Sequence, residues 1–201
     1  LLNSMKGVGI LGLGYLHNGL KQLGSSKPLR VPADAKGLKF RIMTSDVLAA
    51  QFEAVGATPL KKPFSEVFTL LQTRAIDGQE NTWSNMYTQK MHEVQPYITE
   101  SNHGLLDYML VTTVEFWDSL PKDIKPELEK CLKDATAYGN QVSAEKERGD
   151  RQLIKDSGRT QIIELTPAER QQWVDAMKPV WKKFSADIGQ DLIDAAVASN
   201  K

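Results

Sequence analysis

Apolar residues recur along the chain in two rhythms, and their alternation predicts the elements. Ile10-Leu11-Gly12-Leu13-Gly14-Tyr15-Leu16, Leu38–Met43 and Leu105–Thr112 are dense apolar runs that read as strands. The run 105–112 is nearly unbroken, the pattern of a strand covered on both faces. Tyr97–Thr99 and Gln161–Leu165 read as shorter strands, and Thr58-Pro59-Leu60 as extended. Helical spacing appears between them. Val47, Leu48, Phe52 and Val55 follow a cap at Thr44 or Ser45 and stop at Gly56. Val67, Leu70 and Leu71 follow a cap at Ser65, and Trp83, Tyr87 and Met91 share one helical face. Strands alternating with helices imply an α/β fold.

The longest periodic stretch runs from Lys122 to Ser157. Ile124, Leu128, Cys131/Leu132, Ala135, Tyr138 and Val142 form an apolar stripe, a charged middle follows, and Leu153 and Ile154 resume it. One continuous helix there spans about 50 Å, and a polar middle suits a helix bridging two lobes. Gly139 and Gly149 each weaken it by about 1 kcal/mol and permit bends. Gly158 ends it. Thr166-Pro167-Ala168-Glu169 then spells a capping box, and Trp173, Met177, Val180, Trp181 and Phe184 give the following helix a wide apolar face. Gly189 separates off a last amphipathic helix with Leu192, Ile193 and Val197.

Turn residues punctuate the rest. His17-Asn18-Gly19 and Asp77-Gly78 read as turns, and Lys27–Pro32 as an extended loop. Leu1, Leu2, Met5 and Lys6 read as the tail of a helix, which suggests a chain lacking an upstream part.

Composition narrows the function. Lys plus Arg and Asp plus Glu are both 25, so no overall field draws nucleic acid or anionic lipid. No apolar run reaches the ~20 residues of a membrane span, and no signal peptide is evident. The single Cys131 forms no internal disulfide and reads as a small buried hydrophobe.

Candidate chemistry concentrates between Gly37 and Asn81. Arg41 interrupts an apolar strand, which requires an edge position or a dedicated anion. The helix start at Thr44-Ser45-Asp46 follows at once, so a guanidinium and a helix N-terminus arrive together, and both favour an anion. Other motifs fall away. Gly7, Gly9 and Gly12 spell GxGxxG, but the strand follows the glycines where a dinucleotide fingerprint has it before them. His17, His92 and His103 show no pairing with Cys or carboxylates at metal-ligand spacing, so no metal is expected, and no cofactor is expected either. Trp83, Tyr87 and Met91 read as core or lobe interface.

The order GLKFRIM, VGATP, PFSEVFTLLQT, IDGQEN resembles the periplasmic solute-binding proteins of TRAP transporters. GQENTWSNMYTQKMHEVQPYITESNHGLLDYM resembles the branch that binds C4-dicarboxylates. The resemblance implies a two-lobed α/β periplasmic binding protein (Venus-flytrap) fold with a long cross-lobe helix, here N-terminally incomplete. Residues 1–20 would be the remainder of the first lobe, 21–110 mostly the second, and 111–201 the cross-lobe helix with the C-terminal helices. It implies that Arg41 pairs with the ligand carboxylate, that Asn81 reaches the ligand and that Phe64 and Thr44 line the pocket. Lys21 stands where the family often has a second cation; a solvated lysine is the other reading. The implied ligand is succinate, fumarate or malate, the implied partners are TRAP membrane subunits, and the implied location is the periplasm. Two alternatives stay open: an enzyme using Glu66, Asp77 or Glu80 on an organic acid, and a ligand-sensing domain.

Overall fold

The computed structural model describes residues 1–199 of the chain. Six strands form one mixed sheet: β1 (Ile10–Ser25), β2 (Lys39–Ile42), β3 (Thr58–Lys61), β4 (Gly78–Asn81), β5 (Tyr97–Thr113) and β6 (Gln161–Glu164), in the order β3-β2-β4-β1-β5-β6. The helices are α1 (Asp46–Ala54), α2 (Val67–Gln72), α3 (Trp83–Thr88), α4 (Val114–Ser119), α5 (Ile124–Asp156), α6 (Pro167–Lys183), α7 (Ser185–Ile188) and α8 (Gln190–Ser199).

β1 and β5 pair antiparallel from Ile10 opposite Thr113 to Ser25 opposite Tyr97. Their length corrects two expectations. His17-Asn18-Gly19 is no turn: the strand runs through it with a register shift between His17 and Gly19. A bulge leaves a residue out of the ladder, and here other elements take its groups. Asn18 Oδ1 accepts from Thr82 Oγ1 at 2.6 Å, and its carbonyl accepts from Ser143 Oγ at 3.2 Å. The two strands expected at 97–99 and 105–112 are likewise one. Between them Asn102 takes φ 47° and the register slips between Lys21 and Leu23. The Gln22 amide fills the gap, donating to Asn102 Oδ1 (2.7 Å) and accepting from Asn102 N (3.0 Å).

Each face of the sheet carries a core. Leu23, Phe40 and Ile42 pack with Leu29, Leu48, Phe52 and Val55, and Trp173 and Met177 of α6 close over them. Ile98 packs on the other face with Val67, Leu71, Trp83, Met86, Met91 and Ile154. Local signals explain most helix ends. Ser45 Oγ accepts from Leu48 N, Gly56 takes φ 72°, Gly158 φ 64°, and Thr166 and Glu169 form the capping box. Ser65 caps nothing, because Phe64–Glu66 is a 3-10 turn before α2. Met91 is off the α3 face, because Lys90 turns left-handed (φ 56°) and a 3-10 turn at Met91–Glu93 buries it separately. Lys6–Val8 is also a 3-10 turn, and Leu1 to Met5 form no helix.

α5 is one helix of 33 residues, as its periodicity predicts. Ile154 near its end joins the core, but the seat of its middle is polar. Asn140 bonds Tyr15 O and His17 N, and Ser143 bonds Asn18 O. The stripe read as buried faces out instead: Cys131 is exposed, Tyr138 is 70% exposed and Val142 42%. Leu105, Tyr108 and Val111 are also exposed, so this half of β5 is not covered on both faces by the described residues.

Asp77-Gly78 is the entry to central strand β4, not a tight turn. A Cβ on Gly78 would overlap the Phe40 ring and approach Gly24 O at 2.5 Å. Overpacking of this kind destabilises by about 1–3 kcal/mol. Gly78→Ala is therefore expected to lower the unfolding free energy by that amount, read as a lower urea midpoint with an unchanged slope. An unchanged midpoint would show that Phe40 gives way freely.

Candidate functional site

The site grows from the C-terminal ends of β2 and β4. The strands are parallel neighbours, with Arg41 opposite Gln79. Side chains alternate, so Arg41, Gln79 and Asn81 leave the sheet on one face while Phe40, Ile42 and Glu80 leave on the other. Arg41 and Asn81 are thus diagonal neighbours on adjacent strands.

Arg41 is only 4% exposed. β2 lies between β3 and β4, so the arginine is not at a sheet edge. Its Nε donates to Lys62 O at 2.8 Å, and the guanidinium carbon sits 5.7 Å from the centre of the Phe64 ring. Among the described residues no carboxylate lies within 4 Å of it, and its two terminal nitrogens make no hydrogen bond. Burial pulls its pKa down, and the Glu80 charge opposes that. A guanidinium stays protonated regardless. A buried cation without a protein counter-ion is a site prepared for an external anion.

Asn81 is 5% exposed, and its orientation is fixed by the chain. Oδ1 accepts from Thr82 N (3.0 Å) and Asn85 Nδ2 (2.7 Å). A backbone N–H can only donate, so the oxygen must stand there and the amide flip is settled. The Nδ2 group makes no hydrogen bond among the described residues. Asn81 therefore offers donors only, on the same face as Arg41. Phe64 is 37% exposed beside the guanidinium. Thr44 is exposed just ahead of α1 and bonds none of the other candidates.

Lys21 is not solvated. It is 5% exposed and its ammonium is paired with Glu80, itself 1% exposed, on the face away from Arg41. The same Oε2 lies 3.2 Å from His103 Nε2, whose Nδ1 lies 2.7 Å from Ser101 Oγ. Burial drives the Glu80 carboxyl upward. The hydrogen bonds and charges of His103 and Lys21 together outweigh it, and the net shift is downward. Glu80 Oε1 is buried without a partner. This cluster gives His103 a carboxylate partner. His17 Nδ1 also lies 2.8 Å from Asp107, directly across the ribbon. Both pairs arise from strand register, which sequence spacing does not display. No cluster of His, Cys, Asp or Glu among the described residues could hold a metal ion.

The carboxylates considered for acid–base work do not converge. Asp77 Oδ2 accepts from Lys39 N at 2.8 Å, Glu80 is paired, and Glu66 sits in an exposed turn. A cavity of ≈ 740 Å³ opens on the far face, lined by Phe40, Phe52, His103, Trp173, Met177 and Trp181. It holds neither Arg41 nor Asn81. Its walls are mostly apolar.

Residues 1–187 match the model of the DctP family, bacterial extracellular solute-binding protein, family 7. The C4-dicarboxylate-binding periplasmic protein DctP of Shewanella loihica is 64% identical over 201 residues, covering 100% of this chain and 60% of its own length. That of Vibrio cholerae is 53% identical with the same coverage. The chain thus spans about 60% of the length of these relatives. A TRAP periplasmic solute-binding protein from Shewanella oneidensis, solved with bound succinate, superposes with a TM-score of 0.94 at 66% identity, covering 100% of this chain and 66% of its own. One from Pseudomonas aeruginosa with bound L-malate gives 0.85 at 42% identity, covering 90% and 63%.

Glu80 makes stability depend on acid. Its folded pKa is depressed, so its contribution is full above the unfolded value near 4.5 and is lost as pH falls through the folded one. Glu80→Ala strands the Lys21 ammonium and should cost about 3–5 kcal/mol near neutrality. The gap to wild type should narrow below about pH 4.5. Denaturation curves across that range check it, and a gap constant with pH would contradict it.

Proposed function

Because the chain belongs to family 7 of the bacterial extracellular solute-binding proteins, we propose that the protein captures a C4-dicarboxylate in the periplasm and delivers it to the membrane subunits of a TRAP transporter. One observation carries the reading: Arg41 is buried with no protein carboxylate within 4 Å among the described residues, and Asn81 beside it presents only donors. A fixed fork of donors beside an amide suits a planar carboxylate, bound through two parallel hydrogen bonds. In this reading Phe64 covers the guanidinium and excludes water and Thr44 lines the rim, while Lys21 keeps Glu80 neutralised on the opposite face. The second carboxylate of the ligand meets the rest of the protein. The relatives named for C4-dicarboxylates and the structures holding succinate and L-malate support the ligand class.

The family is one of binding proteins and not of enzymes. Closure follows from the same chemistry. A ligand that bridges two lobes favours the closed arrangement by the contacts it makes only there. We assign residues 21–110 mostly to the second lobe and 1–20 to the first, with 111–201 supplying the cross-lobe helix and C-terminal helices. In this assignment β1, which runs from Ile10 to Ser25, crosses the boundary at residue 20 and belongs to both lobes. No described helix is long and apolar enough to cross a membrane.

Arg41→Lys retains charge but loses the fork, and each charge-assisted hydrogen bond contributes roughly 1.5–3 kcal/mol. Succinate binding by the complete protein should weaken about ten- to hundred-fold. Arg41→Ala should weaken it further, with the melting temperature held or raised because an unpaired buried charge is gone. Calorimetric titration with succinate and malate beside thermal melts checks both. Near wild-type affinity in both variants would remove Arg41 from the carboxylate.

A further inference from the structure

Asn81 presents its amide donors only while the turn behind it keeps its shape. That turn is the start of α3, a helix of six residues. Its first amides are all taken. Thr82 N goes to Asn81 Oδ1, and Asn85 N to Thr82 Oγ1 at 3.4 Å. The two between them are met from a distant part of the chain. Trp83 N donates to Glu147 Oε2 at 3.1 Å, and Ser84 N donates to Glu147 Oε1 at 2.7 Å. Glu147 stands on α5, half-buried, and one carboxylate thus closes the helix start with both oxygens. A carboxylate at a helix N-terminus is also favoured by the helix dipole.

Space is kept for it. A Cβ on Gly19 would stand 2.5 Å from Glu147 Oε2, so the glycine in the β1 bulge is what lets the carboxylate reach α3. The neighbouring Asn18 grips the same turn through Thr82 Oγ1. One helical turn further along α5, Arg151 pairs with Glu100 (2.6 Å) and lies 5.5 Å from the centre of the Trp83 ring. The start of α3 is thus clamped between α5 and the bulge of β1.

We propose that Glu147 is a positioning residue for ligand binding: through the first turn of α3 it holds Asn81 with its oxygen turned inward and its N–H₂ group turned to the ligand. The inference rests on the dicarboxylate reading for the ligand, and on geometry alone for the clamp. Without the carboxylate, Trp83 N and Ser84 N lose their acceptors and the turn loosens. Asn81 Oδ1 then loses its aligned donors, and the amide flips to set an oxygen against the ligand carboxylate.

The test uses the complete protein in two arms. The first follows hydrogen exchange over residues 82–86 without ligand. Glu147→Gln should speed exchange about ten-fold at unchanged global stability; Gly19→Ala, which displaces the carboxylate while keeping it, should speed it likewise but also lower global stability, because Gly19 sits at φ 155°. The second is a double-mutant cycle read by titration with succinate. Glu147→Gln should weaken binding about ten-fold in the wild-type background and leave the dissociation constant of Asn81→Ala unchanged. Unchanged exchange overturns the clamp. Equal losses in both backgrounds overturn the coupling to Asn81 and leave Glu147 a structural residue. If the wild type takes up no succinate, the ligand reading fails, and the exchange arm alone decides whether Glu147 holds the turn.

Discussion

The rest of the structure hangs on the antiparallel ladder between β1 and β5. Each is two to three times as long as an ordinary strand. β4, β2 and β3 add to one side of the ribbon and β6 to the other. Because the ladder is continuous, its irregularities are placed, not random. The bulge at Asn18 meets α5 and α3, and the slip at Asn102 sets His103 against Glu80. Backbone pairing fixes the frame, and two of its three register shifts aim polar side chains.

The site divides its charges across the sheet. On one face a guanidinium waits without a counter-ion; on the other an ammonium and a carboxylate satisfy one another. Strand alternation enforces the division, since Glu80 lies between Gln79 and Asn81 and must point away from both. If Glu80 shared a face with Arg41, the two charges would neutralise each other. The same short strand therefore supplies a donor group beside the free guanidinium and an internal pair without letting them meet.

Much of this was legible in the sequence where the signal is local. The α5 span, the stop at Gly158, the capping box at Thr166 and the strand carrying Arg41 all follow from neighbours a few residues apart. The resemblance on GLKFRIM and IDGQEN led to the family that the comparisons show. What escaped depends on register. A histidine and its carboxylate on different strands carry no common spacing, and Gly78 looks like any turn glycine until Phe40 is seen against it. Cys131 and Tyr138 matched a helical stripe, but periodicity gives a face and not what covers it. Glu147 was one charge in a charged run, and only the fold brings it to the α3 amides.

The way α5 is attached has a mechanical consequence. A helix seated on hydrocarbon resists leaving as a whole, because every part of the exposed oil is penalised by water. The middle of α5 is fastened instead by discrete polar rungs at Asn140, Ser143, Glu147 and Arg151. Each rung is directional, so it fixes register sharply while closed. Once broken, its groups are solvated readily and little is lost by leaving it open. Such a helix can be unzipped from one end rung by rung, pivoting about the last one held, and return to the same register.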